Sequence, residues 1–132
     1  MNPLFLTLDE VLSLHEEQLR LFGGSAGIRQ IDLLQSAMGN VEATFGEIFL
    51  HETIFEMAAA YLYGICRNHP FVDGNKRTAT AATLTFLRMN QIKVHAGEDD
   101  FYDLVIGVAE GRVSKAVVTV FLEKNSASAY LK

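Results

Sequence analysis

The sequence predicts an all-α fold, a compact single-domain bundle of about six helices with one short flap or strand element. Helix-start and helix-stop signals recur along the chain and divide it into about six segments. An alternating pattern typical of a strand is confined to the short segment Ile92–His95. In the clearest helical segment, apolar side chains recur at helical spacing, at Ile54, Ala58, Tyr61, Leu62 and Ile65.

The length and composition are those of one globular domain. With 132 residues, 49% of them hydrophobic and 20% charged, the chain is long enough to bury a substantial core. We therefore expect a single domain over 1–132, with its core in 7–124 and a frayed C-terminus at 125–132.

Charge and hydropathy exclude several classes of partner. The net charge of −5 argues against direct nucleic-acid binding, which requires a basic face. It does not argue against a small anion, because a few local cations can dominate one cleft. The longest apolar run, Met57–Ile65, is much shorter than the ~20 residues of a membrane span. The single Cys66 fits a reducing compartment, and no secretory signal is visible, so we expect a cytoplasmic protein without membrane contact.

The first two helices are marked by their ends. The pattern Thr7-Leu8-Asp9-Glu10 is a capping box, which predicts a helix from there to about Phe22. His15 lies on the apolar side of this helix, where a partly buried structural role is expected. A second helix is predicted from Ile31 to Met38, with a stop at Gly39-Asn40. The aperiodic segment Val41–Leu50 is predicted to be a short flap or a helical end with buried aromatic residues.

The second half of the chain continues the helical pattern. A long helix should run up to His69, and another from Asn75 to Asn90, apolar or small almost all round and therefore buried. The strand at Ile92–His95 is predicted to pair with the flap. Two further helices are expected over about Glu98–Glu110 and after Ser114. Their inward residues are predicted to be Phe101, Leu104, Val105 and Val108 in the former, and Val117, Val118, Phe121 and Leu122 in the latter.

The loop between the third and fourth helices has a geometry suited to an anion. Pro70 disfavours helical geometry at His69, so the preceding helix should stop there. Gly74 permits a sharp turn, and Asn75 is a good N-cap, so a new helix should open at about that point. The N–H groups and the dipole of a helix N-terminus favour a bound anion.

The side chains of the same loop supply acid–base and cationic groups. Lys76 and Arg77 lie in the first helical turn, where the dipole disfavours cations, so an anion that they bind explains them better. Asp73 could hold Mg²⁺, which takes carboxylate and phosphate oxygens. His69 carries an imidazole, a side chain well suited to a general base. A solvated helix–loop–helix turn would explain any one of these residues, but it explains all of them together less well.

The loop also resembles a known family. His69 to Arg77 matches, without a gap, the Fic/Doc motif His-Pro-Phe-x-Asp/Glu-Gly-Asn-Gly/Lys-Arg. Lys76, followed by Arg77, Thr78 and Ala79, is similar to the Doc ("death on curing") branch, whereas the Fic branch has glycine at that position. The segment around Arg29 resembles a Doc segment as well, with Leu33–Ala37 fitting and the usual acids missing.

The resemblance implies roles for individual residues. His69 would be the catalytic base, Asp73 would hold Mg²⁺, and ATP would be the nucleotide. Phe71 is expected to be a core anchor of the loop rather than a catalytic group. Arg29 is either a surface cation or a cleft residue near the substrate, and spacing alone leaves both open. Nucleotide and phosphate binding is assigned to Gly74, Asn75, Lys76 and Arg77.

Two activities and one inactive role follow from the resemblance. A Doc-type toxin would transfer the γ-phosphoryl group of ATP to a threonine or serine of a translation elongation factor and halt translation. A Fic-type enzyme would transfer AMP to a target hydroxyl instead, and a third alternative is a catalytically inactive binding module. The long Lys76 side chain in the anion-binding turn favours the kinase. No internal inhibitory helix is recognisable, so the partner implied by the resemblance is an external, Phd-like antitoxin.

Overall fold

Six helices and two small two-stranded sheets make up residues 2–128, the part of the chain that the computed structural model describes. The predicted mainly helical fold is confirmed. The helices are α1 (Leu8–Phe22), α2 (Ile31–Glu42), α3 (Ile54–Asn68), α4 (Asn75–Met89), α5 (Glu98–Ala109) and α6 (Lys115–Lys124). The strands are β1 (Thr44–Phe45), β2 (Ile48–Phe49), β3 (Ile92–Val94) and β4 (Ser126–Ser128).

Helix α3 is the centre of the fold and contacts α2, α4, α5 and α6. A capping box of Thr53 and Glu56 begins it, in the same way that Thr7 and Glu10 begin α1 as predicted. Small residues let its neighbours approach closely: a Cβ added to Gly64 would lie 3.0 Å from the Cβ of Ala37 in α2. Fully buried apolar side chains follow one another along α3, namely Met57, Ala58, Ala59, Tyr61, Leu62, Ile65 and Cys66.

Helix α2 is longer than predicted, because it continues through Gly39 to Glu42. Val41 is fully buried and extends the apolar face formed by Leu34 and Met38. Burying a valine contributes about 1.5–3 kcal/mol, whereas an exposed helical glycine costs about 1 kcal/mol. Tertiary packing therefore outweighs the local stop signal at Gly39.

The segment after α2 is a hairpin, so the flap prediction is confirmed over the helical alternative. Strands β1 and β2 pair antiparallel, with Phe45 opposite Ile48. The prediction of buried aromatic residues is wrong for Phe45, which is 82% exposed, while Phe49 is partly buried. Phe45 lies next to the hairpin turn and is carried away from the core.

Strand β3 pairs with β4 and not with the flap, which corrects the predicted pairing. The register places Ile92 opposite Ser128 and Val94 opposite Ser126. Within the expected frayed C-terminus, 125–132, Asn125 is the C-cap of α6 and Ser126–Ser128 form β4, while 129–132 lie outside the described residues. Helix α6 returns the chain alongside β3, whose backbone groups gain partners by this pairing.

The last two helices follow the sequence pattern with one exception. All four predicted inward residues of α5 are buried, and Ser114 caps α6 by accepting a hydrogen bond from Val117 N at 3.2 Å. Val117 itself is 53% exposed, so only its neighbours Val118 and Leu122 are core residues. Helix α4 buries one broad face but exposes Arg88, so it is not buried all round. None of the described helices is long and apolar enough to cross a bilayer.

Candidate functional site

His69 is the C-cap of α3 and adopts a left-handed backbone conformation, with φ 49° and ψ 56°. Such a conformation costs a non-glycine residue about 1–3 kcal/mol and persists only where its surroundings enforce it. The side chain is exposed, and its imidazole has no hydrogen-bond partner among the described residues. The predicted base is therefore presented at the surface, at the end of the most buried helix.

Arg29 holds the backbone on both sides of the His69 Cα atom. Its Nε donates to His69 O at 2.7 Å and its Nη2 to Asn68 O at 2.9 Å. The backbone N of Arg29 donates to Pro70 O at 2.8 Å. Arg29 is exposed, as a surface cation would be, but its guanidinium is bound to backbone carbonyls rather than directed into a cleft.

The α1–α2 connection, Gly23–Gln30, runs along the loop as an antiparallel strap. Ile28 forms an isolated β-bridge with Phe71, and Val72 N donates to Gly27 O at 3.1 Å. The loop is consequently held by main-chain hydrogen bonds as well as by side chains.

Phe71 joins the loop to the core. It is 1% exposed, and its ring stacks on the buried His15 ring with centroids 3.7 Å apart and planes 7° apart. His15 Nε2 lies 2.8 Å from Asp73 O, which as a carbonyl accepts the hydrogen bond. His15 thus has the structural role expected of it, and its partners are the loop itself.

Asn75 has a different role from the predicted N-cap. The N-cap of α4 is Gly74, with φ 79°, and no side chain caps this helix. The buried Asn75 amide instead accepts from Phe71 N at 2.9 Å and donates to Phe71 O at 3.0 Å. Its side chain is thereby committed to shaping the loop, which leaves its backbone N–H, in the first turn of α4, to face an anion.

The carboxylate of Asp73 is oriented by two backbone N–H groups. Oδ1 accepts from Gly74 N at 2.8 Å and Oδ2 from Ser25 N at 3.1 Å. The hydrogen bond from Ser25, then that from Gly74, and further the charge of Arg77, hold the pKa of Asp73 below its usual value. This exposed group is therefore a carboxylate at neutral pH.

The two cations of the first turn of α4 differ in their contacts. Arg77 Nη1 donates to Gly23 O at 3.2 Å, and the guanidinium lies 5.2 Å from the centroid of the Phe22 ring. The exposed Lys76 ammonium has no hydrogen bond or ion pair within the described chain. Lys76 is thus the free cation beside the N–H groups of α4, whereas Arg77 is directed toward the end of α1.

The residues present fit a magnesium ion that is shared with phosphates rather than one enclosed by protein. Within 2–128 no three His, Cys, Asp or Glu side chains are grouped so that they could hold a metal. Mg²⁺ in nucleotide sites commonly uses one or two carboxylates plus phosphate oxygens and water. The ionised, oriented and exposed Asp73 meets that requirement for one carboxylate.

Gly24 provides a direct test of the strap's contact with Asp73. A Cβ at Gly24 would lie 2.7 Å from Asp73 Oδ2, whereas a Cβ at Gly23 would meet nothing within 4 Å. Both glycines have positive φ, and Gly23, with φ 79° and ψ −177°, lies in a region essentially confined to glycine, so alanine is strained at either position before any contact is counted. We expect Gly24→Ala to lower the free energy of unfolding by more than Gly23→Ala does, as measured by urea denaturation. Equal losses would show that the Asp73 contact is unimportant.

Most predicted site residues are brought to one loop, and the sequence missed what holds them there. His69, Asp73 and Lys76 all lie on the α3–α4 loop or in the first turn of α4. The positions of His15 and Ser25, 58 and 48 residues from Asp73, carry no sequence signal of that contact. Gly23, Gly24 and Gly27 indicated a turn after α1. They did not indicate that this turn packs against the loop between α3 and α4.

The sequence that forms this loop is also matched by known proteins. Residues 5–87 match the model of the Fic/DOC family. The chain is 33% identical to "Protein kinase doc" of Escherichia phage P1, over 92% of this chain and 94% of that protein. It is 41% identical to "Toxin Doc" of Mycolicibacterium smegmatis (strain ATCC 700084 / mc(2)155), over 59% of this chain and 60% of that protein. The family model covers more than half of the chain, and the similarity to the phage P1 protein extends over most of both chains. The protein belongs to the Fic/DOC family.

Proposed function

We propose that the protein is a Doc-type toxin that transfers the γ-phosphoryl group of ATP to a threonine or serine hydroxyl of a translation elongation factor, and so halts translation. The observation that carries the proposal is the loop itself. An exposed His69 ring, with no hydrogen-bond partner within residues 2–128, and an ionised Asp73 lie on one loop that ends at the start of α4, which has no side-chain cap. The relative named "Protein kinase doc" supports the choice of a phosphotransferase.

In this proposal His69 acts as the general base. A ring nitrogen accepts the proton of the acceptor hydroxyl, whose oxygen forms the new bond to the γ-phosphorus. The bond between the γ-phosphorus and the leaving oxygen breaks, and ADP departs with that electron pair. The exposure of His69 allows a protein substrate to reach the ring without opening the core.

The rest of the loop binds the nucleotide. The first N–H groups of α4, at Asn75, Lys76 and Arg77, have no acceptor inside the helix and face an anion favourably. The free ammonium of Lys76 adds charge there. Arg77 can turn to the phosphates by giving up its cation–π contact with Phe22, about 0.5–1 kcal/mol, and its hydrogen bond to Gly23 O, about 0.5–1.5 kcal/mol. Asp73 would hold Mg²⁺, which when bound neutralises phosphate charge.

The toxin proposal also includes a protein inhibitor. A Phd-like antitoxin would bind the protein and cover the region around His69. The relative named "Toxin Doc" supports this pairing. Co-expression of such an antitoxin is expected to remove both growth arrest and modification of the target.

Intact-mass analysis of elongation factor incubated with this protein, ATP and Mg²⁺ tests the activity. We expect a mass increase of one phosphoryl group, with ADP as the second product. An increase of one adenylyl group, with release of pyrophosphate, would instead identify an AMP transferase. No increase, together with growth arrest by His69→Asn equal to that of the parent, would indicate an inactive binding module and overturn the proposal.

A further inference from the structure

We infer that Arg29 is the positioning residue of the site, which fixes the direction of the His69 side chain by binding the backbone carbonyls around it. This inference deepens the proposed function and rests on it for its kinetic consequence. It concerns a residue outside the His69–Arg77 motif, 40 positions earlier in the chain than His69.

Three successive carbonyls, that of Asn68 at the end of α3 and those of His69 and Pro70 just after it, accept hydrogen bonds from Arg29. The guanidinium donates to Asn68 O and His69 O, and the backbone N of Arg29 donates to Pro70 O. The last carbonyls of a helix have no donor within it, and nothing else in α3 can supply one. Helix α3 thus ends in the left-handed conformation that glycine usually adopts, with His69 at that position and Arg29 binding the carbonyls around it.

The geometry explains why a histidine can occupy this position. A left-handed backbone is unfavourable for a side-chain-bearing residue and needs to be enforced from outside. Because the peptide groups before and after the His69 Cα atom are both held, its φ and ψ, and hence the direction of its Cβ, are fixed. The planar fork of an arginine can hold two carbonyls at once, whereas a lysine ammonium is a single point of charge.

The contacts of Arg29 are more those of a positioning residue than of a core residue. Its side chain is exposed and hydrogen-bonds to the polar groups of Asn68, His69 and Gln30. Arg67, in the last turn of α3, is a matched control for the substitution of Arg29. It is also exposed and also donates to a backbone carbonyl, Ala109 O at 3.2 Å, but away from His69.

The kinetic test compares Arg29→Met, Arg29→Lys and Arg67→Met in the full-length chain, with elongation factor and ATP. We expect Arg29→Met to lower kcat by about 10–100-fold, because small displacements of a catalytic group are costly. The KM for ATP should stay within about twofold, because binding energy is unaffected. Arg29→Lys should recover part of kcat, and Arg67→Met should match the parent. An unchanged kcat, or a loss confined to KM, for Arg29→Met would overturn the inference.

A second measurement does not depend on activity. The Cα and Cβ chemical shifts and the HN–Hα coupling of His69, measured by NMR, report its φ and ψ. We expect them to leave the left-handed range in Arg29→Met and to stay there in Arg67→Met. If the parent proves inactive, the proposed function fails and this measurement alone decides the inference. Unchanged His69 signals in Arg29→Met would reject it.

Discussion

Replacing His69 with asparagine is expected to lower phosphoryl transfer by about 10²–10⁴-fold, the usual contribution of a general base. Asparagine tolerates the left-handed backbone that His69 adopts, so the loop should keep its shape. Its amide cannot take up a proton from a hydroxyl. We therefore expect the thermal midpoint to stay near that of the parent while the rate, followed as ADP release with the protein substrate, collapses.

His95→Asn is the matched control for that experiment. His95 is also exposed, but it follows β3 and is bonded through its backbone N to Asn125 O. This variant should retain the parental rate. Retention of most of the rate by His69→Asn would show that another group accepts the proton, and would remove the mechanistic basis of the proposed function.

Replacing Asp73 with asparagine is expected to abolish Mg²⁺-dependent transfer and to weaken binding of Mg²⁺–ATP. The substitution keeps the size of the side chain but removes the negative charge that the ion requires. Isothermal titration with ATP, with and without Mg²⁺, measures the effect. We expect the difference between the two titrations to vanish in Asp73→Asn and to persist in Asp103→Asn, an exposed acid in α5. A persisting difference in Asp73→Asn would remove Asp73 as the metal ligand.

The same variant should change the acid stability of the protein in a defined direction. The pKa of Asp73 is lowered in the folded state. The hydrogen bonds from Ser25 and Gly74 therefore stabilise the folded protein fully at pH values above 3.8, the ordinary pKa of an aspartate. That stabilisation is lost as the pH falls through the lowered folded-state pKa. Urea denaturation as a function of pH should therefore show a shallower acid loss in Asp73→Asn than in the parent.

Local signals in the sequence predicted the helices well, because those signals are short-range. The capping pattern at Thr7 and the serine at Ser114 were each followed by the expected helix. The end of α2 was missed because its limit depends on Val41 packing against another helix, which a glycine at position 39 does not reveal. The partner of β3 was missed for a similar reason, since strand pairing depends on where α6 returns the chain.

The residues of the candidate site were predictable as a set, whereas their support was not. The motif placed His69, Asp73 and Lys76 on one loop because they are close in sequence. The contacts of Arg29 and His15 with that loop join residues 40 and 58 positions apart, and no periodic pattern encodes such a contact. Asn75 was assigned to helix capping by residue type, but the buried Phe71 backbone competes for its amide and takes it.

The missing cap of α4 has a consequence for how long the protein survives in a cell. Helix α4 has Gly74 as its N-cap and carries two cations and no acid in its first turn, an arrangement that the helix dipole disfavours when no anion is bound. Any polyanion that occupies this end would relieve that unfavourable arrangement and shift the folding equilibrium by about 2.7 kcal/mol at a concentration one hundred times its dissociation constant. Because cellular proteases act on unfolded chains, an occupied helix end would slow proteolytic turnover of the protein.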